Sequence, residues 1–205
     1  MSFSKPMLDN PAKRFYEFKS DDKQFVYYDK EQQKKVPMEL PAYVVVLDEL
    51  SSISGFNEKF NCGIYSNEVK NVKSDILYVK SFKGDFAKEG LYHDIKGDVN
   101  SAGGKYTKSL YALLILRNED NVIVNIKLNG AALNAWIDSK IDTQKNIVCI
   151  NNKFNEGKKG KVIYHTPVLT AHDITDEIAK EAIEADKALQ EYFKSKFSVG
   201  ENEAL

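Results

Sequence analysis

Cysteine is nearly missing. Cys62 and Cys149 are the only two in 205 residues, and they share no paired spacing. That argues against a disulfide scaffold or a zinc ribbon and for a reducing, cytosolic setting. Long apolar runs are missing too. The longest, LYALLIL at 110–116, is far too short to span a bilayer, so no membrane partner is expected. The opening residues, MSFSKPMLDNPAKRF, hold no apolar core of the signal-peptide kind, and no leader is expected.

Motifs that carry chemistry are equally scarce. GxSxG, Walker A and GxGxxG do not occur. GGKYT at 103–107 lacks the leading glycine and the following helix of a phosphate loop. His93, His165 and His172 stand in different elements without HxxxH or HxH spacing, which gives no metal set. Cys62 has no histidine nearby in sequence and reads as a small packed hydrophobe. Asp48 and Glu49 are neighbours on a strand, so they point to opposite faces and make no acid/base pair. No catalytic residue, metal or cofactor is expected, and a nuclease would need a carboxylate cluster that the sequence does not display.

What is present is an ordinary globular share of hydrophobic residues, 42%, enough for a core without disulfides. The net charge of −1 hides an asymmetry. From Thr170 to Leu205 there are nine acids against four bases, net −5, which leaves Met1–Leu169 at +4.

Periodicity predicts a mainly β chain with α extensions. Residues 1–12 read as a flexible N-terminus, 13–169 as an OB-like small antiparallel barrel, 170–197 as a long C-terminal helix, and 198–205 as a short acidic tail. Strands are predicted at 13–19, 24–29, 43–50, 75–82, 105–117, 121–130, 146–151 and 161–166. The spacing predicts helices at 85–100, 131–141 and 173–197, the last capped by Asp173. The stretch 51–73, rich in Asn and Gly, reads as a long packed or functional loop.

One pattern stands out. SDILYVKSFK at 74–83 alternates, with Leu77 and Val79 on one face and Tyr78, Lys80 and Phe82 on the other. A core does not want Lys80, and a plain solvent face does not want two rings. Tyr106 and Lys108 repeat the combination on a later strand, and Tyr65, Lys70 and Lys73 offer it in the loop. Single strands of nucleic acid are held by aromatic platforms in a positive groove, because every base has a face to stack. Tyr78, Phe82 and Tyr106, with Tyr65 as a weaker addition, are the candidate stackers. Lys70, Lys73, Lys80, Lys83 and Lys108 are the candidate phosphate contacts. Taken singly, each ring reads as strand packing and each lysine as a solvated tip. The combination carries the reading.

The order NPAKRFYEFK, YYDKE, VVLDEL, GFNEKFNCGIYSNEVKN, VKSFKG, GLYHDIK, AGGKYTKSLYALL, NIKLNGAALNAWIDSK and FNEGKKGKVIYHTPVL resembles the single-stranded DNA-binding proteins of tailed bacteriophages that infect gut bacteria. The resemblance spans about residues 10–170. It implies an OB-type barrel, no catalysis, and a role in DNA replication or recombination with single-stranded DNA as partner. Replication proteins would then dock on the acidic C-terminal segment. ENEAL lacks the Pro-Phe-ended acidic tip of bacterial proteins with this function, which argues against recruitment through that tip. The alternative is a structural or protein-docking module, homo-oligomeric through the stripe Ile174 to Phe193 of its last helix.

Overall fold

The computed structural model describes residues 8–200. The elements run β1 (Arg14–Lys19), β2 (Gln24–Asp29), β3 (Lys34–Pro37), β4 (Ala42–Asn57), β5 (Cys62–Ser66), β6 (Leu77–Ser81), β7 (Ala87–Gly90), α1 (Tyr92–Ser101), β8 (Gly104–Ile115), β9 (Val122–Asn129), α2 (Gly130–Ser139), β10 (Asn146–Lys159), β11 (Val162–Asp173) and α3 (Asp176–Gly200). The chain is mainly β with a long C-terminal helix.

All strands join one sheet in the order β3-β2-β1-β9-β8-β4-β5-β6-β7, with β10 pairing with β4 and β11. Two features depart from the expected small antiparallel barrel. β1 runs parallel to β9, and β3 and β7 end the path without pairing to each other, so the sheet stays open.

β4 organises the sheet. One edge pairs with β8 from Tyr43 to Gly55. The other is shared between β10 at Ala42–Val44, a bridge from Ser51 to Val69, and β5 at Ser54–Asn57. A bulge between Val46 and Asp48 lets one strand serve both halves.

Alternation sorts side chains onto two faces. On the inner face Tyr16, Phe25, Val44, Leu110, Val124 and Ile126 form the main core, closed by Leu133 and Trp136 of α2. Further along, Ile53, Ile64, Leu77 and Val79 are closed by Ile95 and Val99 of α1. The outer face is covered in its middle, where Leu50, Tyr111 and Leu113 lie in clusters with Ala182, Leu189, Tyr192 and Phe193 of α3. Leu189 and Phe193 are fully buried, and each such side chain contributes about 1.5–3 kcal/mol. Polar contacts fasten the same helix. Lys196 Nζ donates to the Glu68 carboxylate at 2.6 Å and the Tyr111 hydroxyl donates to it at 2.9 Å. Burial opposes ionisation of Glu68, but the Lys196 charge and the hydrogen bonds outweigh it and hold the carboxyl below its ordinary range.

Several local expectations are revised. The stretch 51–73 is not one loop: β4 runs on to Asn57 and turns back as β5, because β8 supplies a partner along its whole length. The helix expected at 85–100 begins only at Tyr92, after β7 and Gly90, whose φ of 150° favours glycine. Asp173 pairs with Asn146 at the end of β11, and Thr175 Oγ1 instead accepts from the Ile178 N–H. The strands expected at 146–151 and 161–166 are parts of one long β10–β11 hairpin. Part of the expected flexible N-terminus, 1–7, and of the acidic tail, 201–205, lies outside the described residues. Ala12 is buried in the α3 cluster. Among the described residues no helix is long and apolar enough to cross a membrane.

Candidate nucleic-acid interface

β6 answers the question its sequence raises. Leu77, Val79 and Ser81 are buried, whereas Tyr78, Lys80 and, just beyond the strand, Phe82 face outward. α1 covers the inner side only. Phe82 is 75% exposed and Tyr78 43%.

Pairing across the sheet assembles the rest. Lys105 of β8, Ser54 of β4, Tyr65 of β5 and Lys80 of β6 are successive cross-strand partners, so all four share the outer face. At about 4.8 Å per strand the row spans about 14 Å, and Ser54 is too short to interrupt it. One step along β4, Phe56 is opposite Gly63 and 53% exposed. The Phe82 ring lies over Gly63 and 4.6 Å from the Tyr65 ring. Lys80 Nζ is 5.7 Å from the Tyr65 ring centroid, and Lys59 Nζ is 5.1 Å from that of Phe60. Lys83 Nζ donates to the Phe60 carbonyl at 2.9 Å. Four rings, Phe56, Tyr65, Tyr78 and Phe82, are thus gathered with Lys59, Lys80, Lys83 and Lys105. The nearby exposed acids are Glu58, Asp85 and Glu89.

Of the residues singled out in the sequence, Tyr65, Tyr78, Lys80, Phe82 and Lys83 are brought together here. Four are placed elsewhere. Tyr106 is across from Ile53 on the inner face. Its ring is 5.3 Å from Tyr92 of α1 and its hydroxyl 2.8 Å from Ser51 Oγ, so it packs rather than offering an open platform. Lys108, on the same inner face, is ion-paired to Glu49. Lys70 reaches Asp48 Oδ2 and Gln190 Oε1, each at 3.3 Å, and fastens α3. Lys73 is exposed on the 71–75 turn, where its backbone N–H donates to Asn71 Oδ1. Phe56, Lys59 and Lys105 were not singled out. Phe56 and Lys59 fall in the stretch read as a loop, to which no face was assigned, and on β8 the rings drew attention to the wrong face.

The described residues contain no group of three or more His, Cys, Asp or Glu that could hold a metal ion. Comparison of the chain with protein-family models, with curated proteins and with solved structures finds no match.

Proposed function

We propose that this protein binds single-stranded DNA without sequence preference, by stacking bases on the outer face of β4, β5 and β6. The observation that carries the reading is the gathering of Phe56, Tyr65, Tyr78 and Phe82 on one outward face, with Lys80 at cation–π distance from Tyr65. Such rings would satisfy no core, and stacking on exposed rings is worth about 1–3 kcal/mol per base. Lys59, Lys80, Lys83 and Lys105 track the phosphates. The role is binding in DNA replication or recombination, as in the phage proteins the sequence resembles, and not catalysis. The open sheet is read as an opened version of an OB-type barrel, with β4 shared between its two halves. Replication proteins meet the protein on the acidic outer side of α3. An assembly role for α3 has less to draw on, because Ala182, Leu189 and Phe193 are buried against its own sheet.

The test is fluorescence anisotropy of labelled oligo-dT at two salt concentrations. Four phosphate contacts give a slope of log K against log salt of about −3. Absence of binding at low salt, or binding indifferent to salt, sinks the proposal.

A further inference from the structure

A second pair of exposed rings stands on the same face of the sheet. Phe15 of β1 is 44% exposed and Tyr28 of β2 58%. They continue the outward rows of Glu17 and Val26, which pair across β1 and β2, while the inward Tyr16 and Phe25 lie in the core. Lys35 is directly opposite Tyr28. Phe15, Tyr28, Lys13 and Lys35 line one cleft of about 860 Å³, together with the acids Asp9, Glu17, Asp29 and Glu31, of which Glu17 is paired with Lys19 at 2.8 Å. Among the described residues Lys13, Lys30 and Lys35 form no ion pair, whereas Asp29 is engaged by the Glu31 and Gln32 backbone N–H groups.

Between this pair and the β4–β6 platform Thr107, Ser109 and Asn125 of the outer face are fully buried, and exposed side chains run along the edge of that covered area. Lys127 of β9 is beside Glu17. Two residues on, Asn129 lines a further cleft, of about 580 Å³, together with Lys105, Lys59 and Phe56. α3 rests over Tyr111 and Leu113, while Asn129 and Lys105 are exposed. β2 and β5 are five strands apart in the sheet order, or about 24 Å at the ordinary strand spacing.

We propose that one DNA strand crosses this face, from the Phe56–Phe82 platform past Lys105, Asn129 and Lys127 to a second stacking site at Phe15 and Tyr28. The inference rests on the single-stranded DNA reading above and sets its footprint. A flexible polyanion with a π-face on every unit is the occupant that suits both ends, since each repeats rings beside unpaired ammonium groups. A second copy of the chain meeting this face with the same face would set lysine against lysine.

The experiment compares oligo-dT of about 6 and about 25 nucleotides, chosen around the range of single modules, in wild type, Phe15→Ala/Tyr28→Ala and Lys13→Ala/Lys35→Ala. The ring variant weakens the long oligonucleotide about thirtyfold or more and leaves the short one within about twofold. The lysine variant, which touches no core, lowers the salt slope for the long oligonucleotide by about 1.4. Unchanged binding of the long oligonucleotide by both variants overturns the second site while leaving the first standing. A wild-type protein that binds neither length overturns the underlying reading. A wild-type dimer that these changes convert to monomer, with DNA binding intact, assigns the face to a second copy and overturns the proposal.

Discussion

The Phe82 ring lies so close over Gly63 that a Cβ on that glycine would stand 2.9 Å from Cδ2 of the ring. Gly63 therefore sets where the most exposed ring of the platform can rest. Gly63→Ala should push Phe82 aside at little cost to stability, because that side chain is 75% exposed and free to swing. Thermal unfolding within a few degrees of wild type, with clearly weaker oligo-dT binding, is the expected pair of results. Binding equal to wild type would show that the position of the Phe82 ring does not matter.

The two lysine classes should separate in salt titrations. Lys80 and Lys105 belong to the outer row, and either one changed to Ala should reduce the slope by about 0.7. Lys108 is held by Glu49 on the inner face, so Lys108→Ala should leave the slope as it is and act on stability instead. Equal slope changes at Lys105 and Lys108 would contradict the assignment of faces.

Much of this was legible in the sequence, and the failures have a physical pattern. Alternation alone marks Tyr78, Lys80 and Phe82 as one face of β6. It does not say which face a helix covers. That is settled by Ile95 and Val99 of α1, which close over Leu77 and Val79. The same nonlocal fact turns Tyr106 inward, although its local pattern matches that of Tyr78. Lys70 stands among the candidate phosphate contacts in the sequence because its partners, Asp48 and Gln190, are distant along the chain. Phe56 was hidden by the polar stretch around it, whose strand character depends on pairing with β8 and β5. The parallel pairing of β1 with β9 leaves no mark in local composition.

The Glu68–Lys196 contact predicts an acid limb in stability. The folded carboxyl titrates below its ordinary value of 4.5. Its contribution is therefore complete above that value and is lost as pH falls through the lower folded one. Glu68→Gln should cost about 1–3 kcal/mol near neutral pH, and the gap from wild type should narrow as pH falls below 4.5 and through the lower folded value. Denaturant melts across that range check this. A gap that stays constant with pH would mean that the charge of Glu68 contributes nothing.

The central claim is that exposed rings on β4–β6 hold single-stranded DNA, and oligo-dT binding by Phe56→Ala/Phe82→Ala tests it most directly. Both side chains are more than half exposed, so the variant should fold with an unchanged circular dichroism spectrum. At about 1–3 kcal/mol for each ring, affinity should fall about thirtyfold or more relative to wild type at the same salt. A folded double variant that binds oligo-dT as tightly as wild type would contradict the account.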